Sequence, residues 1–139
     1  MKRTATYLCI ALLACACGKG ELDPASLTGN PFDADYDGPP VFVYDSTYTQ
    51  TVTIPGGVIV NQVIAFHVKS ELLPANTGYS VEVVETVTGD RAVINPDPPN
   101  SHSFRYSRAN PVVGAPLCVK LALYNNADTA RPEEVCASL

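Results

Sequence analysis

Alternation of apolar and polar residues with a period of two is the sequence feature that most restricts the fold. Over 117–124 the apolar set is Leu117, Val119, Leu121 and Leu123. Because successive side chains of a strand point to opposite faces of a sheet, this pattern predicts a strand with one buried face. The same period recurs over 47–54, 64–69, 79–83 and 102–107. Beyond residue 18 no segment shows a convincing 3.6-residue apolar period, so we expect an all-β protein.

Turn residues separate these segments at intervals typical of a small sandwich. Pro55-Gly56-Gly57, Thr88-Gly89 and the proline-rich stretch 95–100 each predict a turn or loop. Six or seven short strands within 41–139 predict an immunoglobulin-like β-sandwich, with a small β-barrel as the alternative. The likeness to immunoglobulin domains is broad only, because the chain has no Trp and its last two cysteines lie close together. At Val84 the apolar residues change from odd-numbered to even-numbered positions, which predicts a β-bulge that keeps the apolar side chains on the inward face.

The first fourteen residues have the composition of a secretion signal. Lys2 and Arg3 precede a short apolar run that ends in small residues. A helix needs roughly 20 apolar residues to cross a bilayer, and this run is shorter. We therefore expect residues 1–14 to be a signal peptide and not a permanent membrane span.

The residues that follow carry a resemblance to a known class. Leu12-Leu13-Ala14-Cys15 resembles the lipobox of bacterial lipoproteins, and Ala14-Cys15-Ala16-Cys17 matches it more loosely. The resemblance implies transfer of diacylglycerol to the cysteine thiol, cleavage before that cysteine and acylation of the new N-terminus. Cys15 is favoured because Leu12 precedes it by three places, whereas Cys17 would leave an even number of thiols. The resemblance covers residues 1–17 only.

The same resemblance implies a cellular location for the protein. A lipid-modified N-terminus would hold the protein on a membrane, since two or more acyl chains give stable anchoring. No Asp directly follows either candidate cysteine. In this respect the chain resembles lipoproteins that are sorted to the outer membrane. We therefore expect a lipid-anchored location in the bacterial cell envelope, with the outer membrane as the favoured site.

A stretch rich in Gly, Pro, Asp and Asn separates the signal from the apolar segments. We interpret 15–40 as a flexible acidic tether and 41–139 as the folded domain. Within the tether, Asp33, Asp35 and Asp37 match the opening of a calcium loop. The twelfth position of that loop is Tyr44, where a bidentate Glu is expected. The three aspartates are therefore a weak calcium candidate, and the sequence predicts no other metal or cofactor.

Two cysteines remain in the folded part of the chain. Cys118 and Cys136 are 18 residues apart. Because an exported protein meets an oxidising compartment, we expect them to form a disulfide, with two reduced buried thiols as the alternative. Neither has the basic surroundings that would activate a catalytic thiol.

Charge and motif content exclude several functional classes. The net charge is −5, with 14 acidic against 9 basic residues, which argues against binding to nucleic acid. His67 and His102 have no Cys or His at zinc-ligand spacing and no nucleophile elbow beside them. The glycines form no phosphate-binding loop. We therefore do not expect an enzyme.

One group of residues has the composition of a binding surface. Arg105, Tyr106 and Arg108 are of the types enriched at binding hot spots, so they are a candidate recognition patch. The alternative places Tyr106 in the core and leaves the arginines solvated. The leading hypothesis is a lipid-anchored, non-catalytic sandwich that binds or scaffolds envelope proteins. A surface-displayed module for carbohydrate or peptide is the second, and a hydrolase with an unrecognised site is the third.

Overall fold

A computed structural model describes residues 29–75, 77–112, 114–125 and 129–138. The signal peptide and both lipidation candidates, Cys15 and Cys17, lie outside these residues. The strands are β1 (Phe42–Ile54), β2 (Gly57–Val68), β3 (Ser80–Glu85), β4 (Arg91–Ile94), β5 (Ser103–Ala109), β6 (Leu117–Tyr124) and β7 (Glu133–Ala137). A single 3-10 turn, Ser70–Leu72, follows β2. In the part of the chain described, no helix has the length and apolar character needed to span a membrane.

The strands form two antiparallel sheets. The first has the order β1-β2-β5 and the second β4-β3-β6-β7. The two sheets are not closed into one barrel, so the predicted sandwich is confirmed and the barrel alternative is wrong. In an immunoglobulin constant domain the fourth strand joins the first, second and fifth. Here β4 pairs with β3 in the second sheet instead.

The inward faces of both sheets make the core. Ile64, Phe66 and Phe104 come from the first sheet and pack against the second, with Phe66 stacked on Phe104 at 5.6 Å between ring centroids. The second sheet contributes Val81, Val83, Leu117, Val119, Leu121 and Leu123, all fully buried. Burial of each such side chain contributes about 1.5–3 kcal/mol. The alternation in 117–124 therefore identified the buried face of β6 correctly.

A β-bulge in β1 reverses which face of that strand meets the core. Phe42 pairs with Val68 before the bulge, and Thr47 pairs with Ile64 after it. The register shifts between Tyr44 and Ser46, so the threonines of 47–53 share the inward face of β2. By contrast, β3 continues in regular register through Glu85, and the bulge predicted at Val84 does not occur. Glu85 consequently points inward.

The folded domain begins before residue 41. Phe32 and Tyr36 are buried members of the core. The Arg131 N–H donates to the Asp33 carbonyl at 3.3 Å, and the Arg131 guanidinium lies 5.9 Å from the centre of the Tyr36 ring. Residues 29–40, which the composition assigned to the tether, are thus packed on the sandwich. The segment packs there because the aromatic side chains of Phe32 and Tyr36 are buried in the core.

Candidate functional site

A cleft opens at the end of the sandwich where β2 ends and β3 and β5 begin. Its walls come from residues 70–75 and 77–79, between β2 and β3, and from 95–102, between β4 and β5. The volume is about 810 Å³, within the range of small-molecule binding sites. Among the described residues that line it, none is Asp, Glu, Lys or Arg. The cleft is therefore suited to a ligand without net charge.

The proline-rich wall is fixed by hydrogen bonds. The Asp97 N–H donates to the Ser103 carbonyl at 2.8 Å, and the Ser101 N–H donates to the Pro98 carbonyl at 3.1 Å. The guanidinium of Arg105 pairs with the Asp97 carboxylate at 3.2 Å. These contacts tie the loop to β5. A wall that is already ordered loses little conformational freedom when a ligand binds.

Tyr79 and His102 line the cleft and contact each other. A 2.7 Å hydrogen bond joins the Tyr79 hydroxyl to His102 Nδ1, and the two rings stack with centroids 6.1 Å apart. Phe32 and Phe104 contact other parts of the Tyr79 ring. Burial raises the pKa of Tyr79 from 10.0 to about 12. At neutral pH the phenol is therefore protonated and serves as a neutral hydrogen-bonding group.

Polar and apolar surfaces alternate along the lining. The Asn95 carbonyl accepts a 2.7 Å hydrogen bond from the Ser80 hydroxyl, which leaves the Asn95 amide N–H₂ able to donate. Asn100 and Thr77 add amide and hydroxyl groups, while Pro96, Pro99 and Leu73 add carbon surface. Because His102 is bonded to Tyr79 and not to a serine, this arrangement is not that of an activated nucleophile.

A buried polar cluster lies at the opposite end of the sandwich. Glu85 is 1% exposed, and its carboxylate accepts a 2.9 Å hydrogen bond from Arg108 Nη1. Arg108 Nη2 donates to the Gln62 side-chain carbonyl at 2.9 Å, and the Tyr106 hydroxyl donates to Glu85 at 3.4 Å. Burial, followed by the negative charges of Glu85 and Asp90, raises the pKa of Tyr106. The cluster is an internal ion pair that joins the two sheets.

The predicted recognition patch does not form. Arg105 points outward and is 57% exposed, whereas Tyr106 and Arg108 point into the sandwich. Strand geometry imposes this separation, because neighbouring residues of β5 face opposite sides. Tyr106 therefore belongs to the interior, and only Arg105 is solvated. The three side chains do not share a surface.

The aspartates of the calcium candidate do not converge. The Asp33 carboxylate accepts a hydrogen bond from the Asn30 side-chain amide at 3.2 Å, while Asp35 and Asp37 are exposed. Within the described ranges, the carboxylates of Asp33, Asp35 and Asp37 do not lie within 4.8 Å of one another.

The structure brings together the two cysteines that the sequence predicted to pair. Cys118 and Cys136 lie opposite each other on β6 and β7, and their sulfur atoms are bonded at 2.09 Å. Glu134 lies beside them. Because both sulfurs are consumed by the disulfide, neither is a thiolate ligand for a metal. The predicted disulfide is confirmed.

Sequence reasoning missed most of the cleft. The sequence predicts Tyr79 within one strand and His102 at the start of another, and it gives no reason to expect contact between the two side chains. Their hydrogen bond depends on the pairing of β2 with β5 and on the packing of β3 across it. The one local signal was the proline-rich loop 95–100 immediately before His102. An ordered loop beside a strand end is where binding residues concentrate.

Comparison of the chain with protein-family models, with curated proteins and with solved structures found no match. The candidate function therefore depends on the geometry of the cleft and on the N-terminal resemblance to bacterial lipoproteins.

Proposed function

We propose that this chain is a lipid-anchored protein of the bacterial cell envelope whose β-sandwich binds a neutral ligand and catalyses no reaction. The observation that carries the binding role is the preformed cleft of about 810 Å³ with no acidic, Lys or Arg side chain in its described lining. Pockets with convergent polar groups and apolar walls are the usual sites for small ligands.

The lining favours a carbohydrate over a charged ligand. Sugars present hydroxyl groups at their edges and carbon–hydrogen groups on their faces. Asn95 and Asn100 offer donors and acceptors for the edges, and Pro96 and Pro99 offer carbon surface for a face. The chain has no Trp, so any ring stacking would use the smaller His102 or Tyr79 rings. An uncharged peptide is the second candidate, because the same groups match a peptide backbone.

The anchoring part of the proposal depends on residues 12–17. The N-terminal segment joins the domain at the cleft end, since Phe32 contacts Tyr79 with ring centroids 6.2 Å apart. The first residues that the structure describes therefore lie at the same end of the sandwich as the cleft.

A glycan array probed with the purified mature protein tests the binding role. Gly78 lines the cleft, and a Cβ added there meets no atom within 4 Å. Gly78→Gln should therefore leave the fold intact, fill part of the cleft and weaken binding by at least about tenfold, which is about 1.4 kcal/mol. Gly57→Gln, at the far end of the sandwich with equally open space, is the matched control and should bind normally.

Equal binding by the Gly78 variant and wild-type protein would place the ligand elsewhere. Binding of uncharged peptides with no glycan bound would select the second candidate. Absence of both would end the ligand proposal while leaving the anchor to be judged separately.

Intact mass of the protein purified from membranes of its native host tests the anchor. The expected mass is that of a chain beginning at Cys15 or Cys17 plus acyl chains. Cys15→Ala, or Cys17→Ala if that residue is modified, should leave the protein unprocessed and without lipid. An unmodified chain cut elsewhere would make the protein a secreted domain without altering the cleft.

A further inference from the structure

The β1–β2 hairpin extends beyond the rest of its sheet. β1 pairs with β2 along its whole length, from Phe42 opposite Val68 to Ile54 opposite Gly57. β5 pairs with β2 only from Asn61 to His67. The Asn110 N–H still donates to the Val60 carbonyl at 2.8 Å. Beyond that bond the hairpin is a two-stranded projection, with no third strand paired to it among the described residues. Two-stranded hairpins alone are marginally stable in water, so such a projection gains from further pairing.

The projection exposes apolar side chains on both of its faces. Tyr48, Val52 and Ile54 are exposed on one face, and Val58 and Val60 on the other, with Val58 60% exposed. Most of the large exposed apolar residues in the described part of the chain belong to this hairpin. Concentrated apolar exposure of this kind marks a surface that is covered by another molecule.

The outer edge of β1 is open along the same stretch. Near its start β1 is closed off by β7, because the Glu133 carboxylate accepts hydrogen bonds from the N–H groups of Val41 and Phe42 at 2.7 and 3.2 Å. From Ser46 to Ile54, β2 is the sole strand paired with β1 among the residues described. The edge there presents unpaired N–H and C=O groups.

The sequence of this edge lacks the usual devices against pairing. Natural edge strands carry charges, prolines or bulges that prevent association. Ser46–Ile54 contains no Asp, Glu, Lys, Arg or Pro, and the bulge of β1 lies before it. The residues are Thr, Tyr, Val, Ile, Gln and Ser, most of which favour strands. This edge is thus competent to add a strand.

We propose that β1 pairs antiparallel with β1 of a second copy of this chain, across a two-fold axis at Gln50. The midpoint of Ser46–Ile54 is Gln50, so this register gives the longest overlap. It sets Tyr48 opposite Val52 of the other copy on one face and Thr49 opposite Thr51 on the other. Aromatic–β-branched and Thr–Thr pairs are the cross-strand pairs that stabilise antiparallel sheets.

The distribution of charge allows a second copy of this chain to bind at this edge. The chain carries a net charge of −5, so two copies repel each other over most of their surfaces. From Ser46 to Phe66 the sequence has no ionisable acidic or basic residue, so an isologous contact made there avoids this repulsion. The result is one continuous sheet of six strands in the order β5-β2-β1-β1-β2-β5.

Cysteine crosslinking in membranes of the native host tests this register. Gln50→Cys places two thiols against each other at the two-fold axis, and mild oxidation should give a covalent dimer. The matched control is Ser107→Cys, which is exposed on the outer face of β5 at the opposite edge of the same sheet. That variant should stay monomeric. A Gln50→Cys crosslink to a different protein, or no crosslink, would overturn the proposal.

Introducing a charge at the axis shows whether loss of the dimer comes from disrupted pairing or from a general effect on folding. Gln50→Lys and Gln50→Glu should each be monomeric by sedimentation equilibrium, because like charges then face each other across the axis. An equimolar mixture should recover the dimer, since a Lys now faces a Glu. A monomeric wild-type protein, or two variants that remain dimeric on their own, would contradict the proposed axis. The ligand cleft plays no part in these measurements.

Discussion

Arg105 and Arg108 lie three residues apart on β5 and occupy opposite environments. Arg105 is outside and pairs with Asp97 in solvent, while Arg108 is inside and pairs with Glu85. Taking two charges out of water is costly, and the Glu85–Arg108 pair offsets that cost only through its close geometry and the additional bonds to Gln62 and Tyr106. The contribution of each arginine to stability therefore depends on which face of β5 its side chain occupies.

Removing the inner arginine should destabilise the protein far more than removing the outer one. Arg108→Met leaves the Glu85 carboxylate buried without its partner and should cost about 3–5 kcal/mol in the free energy of unfolding. Arg105→Met is the matched control on the same strand and should cost about 0–1 kcal/mol. Urea denaturation of the two variants measures the difference. Equal losses would mean that the ion pair is not buried in solution.

Replacing both members of the pair gives a second test of the same geometry. Substitution of buried ion pairs by apolar residues is often neutral in other proteins. The double variant Glu85→Leu/Arg108→Met should therefore be more stable than Arg108→Met alone. If it were less stable, the loss in the single variant would come from packing and not from the unpaired carboxylate.

The Tyr79 hydroxyl gives the protein a pH dependence at the alkaline end. Its pKa is raised in the folded state to about 12, above the ordinary value of 10.0. The folded protein thus holds this proton more tightly than the unfolded chain, and stability falls as the pH rises from about 10 through 12. Urea denaturation at intervals across that range should show a smaller fall for Tyr79→Phe. An identical fall in both proteins would assign the effect to other groups.

At the scale of elements, β7 is an edge strand secured at two points. The disulfide joins it to β6, and hydrogen bonds from Val41 and Phe42 to Glu133 join it to the beginning of β1. The disulfide closes a span of 18 residues, which includes the loop between the two strands. Closing a loop of this length restricts the unfolded chain and stabilises the fold by about 3 kcal/mol. Among the described strands β7 pairs with β6 alone, over five residue pairs, so the disulfide reinforces a short ladder of hydrogen bonds.

Breaking the disulfide should lower the melting temperature without altering the sheet order. Cys136→Ser is expected to lower Tm by several degrees, because the loop constraint on the unfolded chain is lost. Thermal unfolding under non-reducing conditions measures this. Reductant should lower the Tm of the wild-type protein and leave that of the variant unchanged. An unchanged Tm in Cys136→Ser would show that the cysteines are not paired.

At the scale of the whole molecule, the folded domain includes residues that precede its first strand. Phe32 and Tyr36 close one end of the core ahead of the first strand. Phe32 also contacts Tyr79, which lines the cleft. The segment before β1 therefore contributes both to stability and to the position of the candidate binding site.

A comparison of two truncated chains checks where the domain begins. A chain starting at Gly29 retains both aromatic residues, and one starting at Val41 loses them. Burial of each contributes about 1.5–3 kcal/mol, so the shorter chain should be less stable by about 3 kcal/mol or more in urea denaturation. Phe32→Ala in the longer chain should reproduce part of the loss. Equal stability of the two chains would restore the boundary at 41.

Several features of this fold followed from the sequence because their causes are local. The alternation in 117–124 identified the strand β6 and its buried face, since side-chain direction in a strand has a fixed period. Turn residues separated the strands, and a cysteine pair in a chain with a predicted signal peptide predicted the disulfide. These features need no knowledge of which strands are neighbours. The all-β class is therefore determined by the sequence itself, whereas the choice between a sandwich and a barrel depended on how the strands pair into two sheets.

Tertiary structure decided what depends on residues distant in the chain. Glu85 and Arg108 are inward because β3 is regular where a bulge was expected and because β5 pairs with β2. Residues 29–40 fold because the core offers Phe32 and Tyr36 a place, which composition does not reveal. The cleft exists because two loops meet at one end of the sandwich. Contacts between distant residues depend on how the sheets are assembled, and period and spacing along the chain do not encode that assembly.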